Sequence, residues 1–244
     1  MDFTYRSYIN NIDFIRDNGY YIRFFGEQDN GFHVILRHDI DMDINKAYKM
    51  AKIEKDNKIL STYCFLLSSP FYNIFNNENN SLIKEICSMG HRIGLHFDTT
   101  QYQGANIEEL KNKAEIEKKV LTKFLDNGIE VNVISFHRPD KRFLGKDIIF
   151  NNMENTYSSK YFNQYKYLSD SRMVWKENVV DIIKNKQYRN IQLLTHPIWY
   201  SEKQMSRDNI LKLIIKEKND AIITEINDNF NLDKFDCELN IKRR

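Results

Sequence analysis

The stretch that most constrains this chain is Val34-Ile35-Leu36-Arg37-His38-Asp39-Ile40-Asp41-Met42-Asp43. An apolar run enters it, a helix-like segment over 44–57 leaves it, and the junction between them is acidic. Apolar strand, acidic tip, then helix is the unit of a parallel α/β protein, whose reacting groups collect at the carboxyl ends of its strands. Carboxylates packed this closely repel one another unless a proton or a cation sits between them. Asp43 has a simpler role open to it, because Asp is favoured at a helix N-cap. Capping alone is the competing account for Asp39 and Asp41.

The same alternation recurs along the chain. An amphipathic helix is expected over 7–18, with Tyr8, Ile9, Ile12 and Ile15 at helical spacing, ended by Asn18-Gly19. Segment 20–25 and a polar turn lead to a first strand at 32–37. Further strands are expected at 60–67, 92–97, 131–136 and 191–195, weaker ones at 155–159 and 166–169, and a last one at 221–226. Helices over 44–57, 81–89, 106–127, 174–186 and 206–218 separate them, the fourth of these carrying Trp175. Near-continuous apolar character marks strands buried on both faces, as in parallel sheets. About seven alternations argue for a (β/α) barrel or a doubly wound sheet. With 3 Pro and 8 Gly in 244 residues there is no room for a flexible linker, so one domain is expected over 1–244. Residues 1–30 would be a helical extension packed on it.

Composition excludes several classes. The net charge is +2, from 36 basic against 34 acidic residues, which argues against a dedicated nucleic-acid binder. The basic tail Lys242-Arg243-Arg244 reads as a solvated end. Cys64, Cys87 and Cys237 are odd in number and widely spaced, so they form neither a disulfide framework nor a CxxC metal site. No stretch approaches the roughly 20 apolar residues of a membrane span. The first residues lack the basic-then-apolar order of a signal peptide. A cytoplasmic protein is expected.

The 6 histidines sort on this map. His33 and His91 precede or begin strands and belong to the opposite end from the acidic tip. His38, His96, His137 and His196 all fall at strand carboxyl ends. His96 and Asp98 have the same parity, so both point to one side, with Gly94 making room below. Imidazole and carboxylate are the ligands of a catalytic divalent metal that keeps one position open for water. Asp39, Asp41, His96, Asp98, His137 and His196 are the candidate donors, with capping of a following turn as the alternative for Asp98.

These residues resemble a family: the polysaccharide deacetylase-like proteins of the NodB homology fold, related to carbohydrate esterase family 4. The resemblance spans roughly residues 30–200. His38-Asp39-Ile40-Asp41 resembles its first motif, which implies Asp39 as catalytic base and Asp41 as metal ligand. Gly90-His91-Arg92-Ile93-Gly94-Leu95-His96 resembles the second and makes His96 a ligand. Arg138-Pro139 matches the groove-lining pair of the third. Asp170-Ser171-Arg172 with Trp175 resembles the fourth, in which an acidic residue tunes the catalytic histidine and an aromatic packs against it. Leu193-Leu194-Thr195-His196-Pro197 resembles the fifth, implying His196 as general acid. The chain departs from the pattern at Thr100, where the family has a second metal-binding histidine. The third protein ligand then falls to His137 or Asp98.

The resemblance implies a single-domain distorted (β/α) barrel of about seven parallel strands, holding one divalent metal ion, zinc by default. It implies hydrolysis of an acyl group, acetyl first of all, from an N-acylated sugar. Without a visible export signal, an intracellular step on a nucleotide- or lipid-linked sugar during surface glycan assembly is expected. Arg138 and Trp175 would shape the sugar groove. The aromatics Phe71, Tyr72, Tyr157, Tyr161, Phe162 and Tyr165 suit stacking on carbohydrate or plain packing. The alternative is an inactive carbohydrate-binding or scaffold protein on the same fold. A phosphoesterase is disfavoured, because only Arg37 and Arg138 could serve an anion nest.

Overall fold

The computed structural model describes residues 2–27, 30–125 and 128–231. Asn127, Cys237 and the basic tail lie outside the described residues. The chain divides into two compact units, Met1–Gln204 and Met205–Arg244.

The first unit begins with α1 (Tyr5–Asp17), β1 (Tyr21–Arg23), β2 (His33–Ile40), α2 (Ile44–Asp56) and β3 (Thr62–Leu66). It continues through α3 (Asn77–Ser88), β4 (Arg92–Phe97), α4 (Ile107–Leu125), β5 (Val131–Phe136) and β6 (Glu154–Asn155). The last elements are α5 (Ser159–Asn163), β7 (Lys166–Ser169), α6 (Val179–Lys184) and β8 (Asn190–Thr195). Every strand pairing is parallel, in the order β6-β5-β4-β3-β2-β8-β7, with β1 joining β2 below β3. This is the expected distorted (β/α) barrel. Its two end strands, β6 and β7, are not paired with each other among the described residues.

β2 is the centre of the sheet, and all eight of its residues are buried. It leads directly into α2, whose N-cap is Asp43, the side chain accepting from the backbone N–H of Lys46. The capping role anticipated for Asp43 is therefore observed. One barrel-facing floor packs Ile35 of β2, Cys64 of β3 and Val133 of β5 with Phe25, Tyr161 and Tyr165. Gly94 lets these strands close up: a Cβ there would lie 2.7 Å from Cys64 Sγ and 3.2 Å from the Val133 carbonyl oxygen. Outside the sheet, Tyr5, Tyr8, Ile12 and Ile15 of α1 pack with Val34, Leu36 and Leu193.

Three expectations are corrected. Residues 221–226 are not a strand, because they lie inside α7 (Arg207–Phe230) of the second unit. That segment is rich in Ile and Thr, but no Gly or Pro interrupts 207–230. A helix once started adds a hydrogen bond per residue, and strand propensity yields to that context. The helix expected over 174–186 shrinks to α6, because the Asn178 side chain accepts from the N–H groups of Val180 and Asp181 and starts the helix there. Residues 155–159 give only the short β6 and then turn into α5. In the other direction, α3 begins earlier than expected, capped by Asn76.

Candidate active site

Strand alternation sorts the central motif. Arg37 and Asp39 share one face of β2, and His38 lies on the other. Asp39, Asp41, His96, His137 and His196 all line one cavity of 250 Å³ at the carboxyl end of the strands.

The lower layer is a buried ion pair. Arg37 donates to Asp39 Oδ2 at 3.0 Å, to Gln192 Oε1 at 2.8 Å and to the Tyr157 hydroxyl at 3.1 Å. Burial by itself would raise the Asp39 carboxyl, but Arg37, His96 and His196 together outweigh it and keep the group below the ordinary carboxylate range. Asp39 is therefore an acceptor only. Ser135 Oγ lies 3.1 Å from Asp39 Oδ1 and must give its proton there.

That assignment propagates. His96 Nδ1 lies 2.7 Å from Ser135 Oγ. With the hydroxyl proton committed to Asp39, His96 donates from Nδ1, and the neutral ring has only a lone pair left on Nε2. Nε2 points at Asp41 Oδ1, 3.1 Å away, and His137 Nδ1 points at the same oxygen from 3.0 Å. A lone pair and a carboxylate oxygen facing each other at this distance need a cation between them, either a further proton or a metal ion. One oxygen and two imidazole nitrogens, all within 4.8 Å of one another, form a donor set that fits a zinc-class divalent ion.

His196 completes the cavity. Asp170 is fully buried, and one of its oxygens lies 2.6 Å from His196 Nδ1 while both accept the His196 backbone N–H at 3.1 Å. This holds the proton on Nδ1 and turns Nε2 to the cavity, 4.0 Å from Asp41 Oδ2. Burial would lower the imidazole, but the Asp170 charge and hydrogen bond outweigh it and push it up to about 9. The loop that delivers Asp170 is strained, with Arg172 and Met173 at φ 59° and 61°.

Other residues singled out in the sequence stand elsewhere. His38 is on the outer face of the sheet, bonded to Glu54 and Thr195 rather than to the acidic tip. Asp98 caps the turn Thr99–Gln101, accepting from the Thr100 N–H and hydroxyl at 3.0 and 2.7 Å. The metal-donor group does not include it. Arg138 is exposed, and its neighbour Pro139 is what reaches the cavity. Trp175 lines an adjoining cavity of 210 Å³ that shares Tyr167 and Ser171 with the first. Of the aromatics, Tyr157 and Phe162 line the site, Tyr161 and Tyr165 build the floor, and Phe71 is exposed. Tyr72 accepts from the Leu66 N–H and donates to the Ile40 carbonyl. Ser135, Tyr167, Leu144 and Leu194 were not anticipated as site residues, although Ser135 shares the parity of the inward-facing Val133.

No protein-family model and no curated protein matches this sequence. Solved structures do. The chain is similar to a family 4 carbohydrate esterase from Bacillus anthracis, at 15% identity over 86% of each chain and a TM-score of 0.38. A CE4 esterase from Streptococcus mutans is 13% identical, covers 78% of this chain and 83% of its own, and has a TM-score of 0.48. A CE4 family pseudoenzyme from Bacillus anthracis is 13% identical over 80% of this chain and 63% of its own, with a TM-score of 0.47. These structures carry the family name to which the sequence motifs pointed. The chemistry that follows rests on the side chains of this chain alone.

Proposed function

We propose that this chain is a metal-dependent hydrolase that removes an acyl group from an N-acylated sugar. One observation carries the reading. A single cavity places a three-donor cation group beside a carboxylate held ionised and a histidine whose second nitrogen faces the same space.

Asp41, His96 and His137 would hold the ion, with zinc the first metal to test. A divalent metal bound there would supply Lewis-acid polarisation of an amide carbonyl and lower the pKa of a water toward about 7. Asp39 accepts the proton of the attacking water on its carboxylate, whose plane is set by Arg37 and Ser135. His196 delivers a proton from Nε2 to the leaving amine, because Asp170 holds the other proton on Nδ1. Phe136, Leu144, Phe162 and Leu194 give the cavity an apolar side suited to an acyl methyl, and Tyr157 and Tyr167 offer ring faces and hydroxyls to a sugar.

The test is acetate release from N-acetylated sugars by the zinc-reconstituted protein, alongside Asp39→Asn. Release by the wild type and none by the variant is the expected result. If the wild type binds zinc but releases no acetate from any acetylated sugar, the hydrolase reading falls and a non-catalytic glycan binder replaces it.

A further inference from the structure

Behind the site, on the outer face of the sheet, lies a polar cluster that the chemistry above does not use. Its centre is Glu54 of α2, fully buried. Glu54 Oε1 accepts from the Tyr8 hydroxyl and from His38 Nε2 at 3.0 Å. Oε2 accepts from Ser61 Oγ at 2.6 Å and the Tyr63 hydroxyl at 2.7 Å. His38 in turn reaches across to the neighbouring strand, its Nδ1 lying 2.6 Å from Thr195 Oγ1.

The direction of this chain is settled by its end. An ionised Glu54 only accepts, so His38 carries a proton on Nε2, and with the ring neutral its Nδ1 takes the Thr195 hydroxyl proton. Thr195 and His38 are register partners on β8 and β2. The residue after His38 is Asp39, and the residue after Thr195 is His196. The tether therefore ties together the two strands that carry the proposed base and acid, one residue below each.

A carboxylate is a costly way to fill a buried position, because replacing a buried ion pair by apolar residues of similar volume is often neutral or stabilising. What it adds is direction. On the inner face Arg37 bonds both Asp39 and Gln192 of β8, and above that layer the face opens into the cavity beside Asp39 and His196. The outer face adds a further restraint at the level of the cavity, because a charge-assisted chain holds hydrogen-bond lengths that apolar contacts do not.

We propose that Glu54, acting through His38 and Thr195, is a positioning group that sets the separation of Asp39 and His196 by clamping β2 to β8 from behind the active site. The inference rests on the hydrolase reading for its consequence in turnover, but the clamp has a signature of its own. Neither Glu54 nor Thr195 reaches the cavity, and none of the metal donors bonds to them.

The experiment uses Thr195→Val, which keeps shape and volume and removes one hydroxyl, with Thr195→Ser as the variant that restores it. Thermal melting first establishes that both variants fold. Turnover of zinc-loaded protein is measured on N-acetylated chito-oligosaccharides, and cobalt affinity is measured from its visible absorption. The expected result is a kcat about tenfold lower in Thr195→Val, with KM and cobalt affinity within about twofold of wild type and recovery in Thr195→Ser. An unchanged kcat in a folded Thr195→Val overturns the proposal. So does an equal loss in both variants, which would be a structural effect of the position.

If the wild type shows no turnover, the hydrolase reading has failed, and the clamp is read from the metal-free protein by NMR. The His196 Nδ1 proton shared with Asp170 reports the placement of that ring. A shift of this resonance in Thr195→Val and its return in Thr195→Ser supports the clamp, and an unmoved resonance overturns it.

Discussion

Asp41 and Glu54 are both carboxylates drawn out of water beside histidines, and they differ in how their oxygens are met. Glu54 has two donors on each oxygen and a side chain with 0% exposure. Asp41 turns one oxygen to two imidazole nitrogens, one of which has no proton to give once Ser135 and His96 are assigned, and its side chain is 24% exposed. The protein completes the first group from its own residues and leaves the second to a cation. A buried charge by itself therefore identifies no binding site. What identifies one is a shortage of protons around it.

The sharpest way to break this contrast is to remove the incomplete carboxylate. After zinc reconstitution, elemental analysis is expected to give about one equivalent in the wild type and none in Asp41→Ala or His96→Ala. Glu54→Gln should keep its metal. Zinc retained by Asp41→Ala would move the site elsewhere. Next in size is Asp39→Asn, whose turnover on an acetylated sugar should fall by about 10²- to 10⁴-fold with metal content unchanged. Loss of metal along with activity would make Asp39 a ligand instead of a base.

On the completed side, Glu54→Ala strands four donors, and urea unfolding should show a loss of about 3–5 kcal/mol. The pH dependence has a definite sign. Burial opposes ionisation of Glu54, but its interactions with His38 and His91 and the Ser61 hydrogen bond together outweigh it and bring its carboxyl from 4.5 down to about 2. A depressed acid contributes fully above its unfolded value and is lost as pH falls through the folded one. The stability gap between wild type and Glu54→Gln should therefore close between pH 4.5 and about 2.

Glu117 of α4 gives the opposite slope. Burial lifts it to about 7, against the Tyr102 hydroxyl that donates to Oε1, while Oε2 has no partner among the described residues. A raised acid stabilises below its unfolded value and loses that contribution as pH rises. Wild-type stability should fall by about 2 kcal/mol from pH 4.5 to pH 7 through this group, and Glu117→Gln should remove that part of the slope. The smallest effect is expected at Arg138. Because its side chain is exposed, Arg138→Ala should leave metal content and kcat within about twofold of wild type. A larger loss would restore it to the groove.

Much of this was legible in the chain. Apolar runs ending in His or Asp marked β2, β4, β5 and β8, and the donors Asp41, His96 and His137 stand at or just beyond their ends. Alternation within β2 separates His38 from Arg37 and Asp39, a distinction that proximity in sequence obscures. The outer cluster also left a trace, since Glu54 follows Ala47, Met50 and Ala51 at helical spacing on the buried face of α2. A carboxylate in that stripe calls for partners, but its donors come from α1, β2 and β3 and converge only in the fold. Arg138 and Trp175 illustrate the other limit. Their positions depend on loop geometry, and the consecutive left-handed residues Arg172 and Met173 carry no glycine to announce the turn.

The seam between β6 and β7, unpaired among the described residues, has a consequence for how such a protein can diversify. Near that gap the cavity is walled by Tyr157, by Phe162 of the short helix α5 and by Tyr167 of β7. Substitution at Phe162 there would reshape the cavity without touching the residues that hold protons and cation, whereas Tyr157 also bonds Arg37 and Tyr167 belongs to the paired strand β7. Change in the shape of the cavity can therefore proceed at that position while the polar groups on the other side stay as they are.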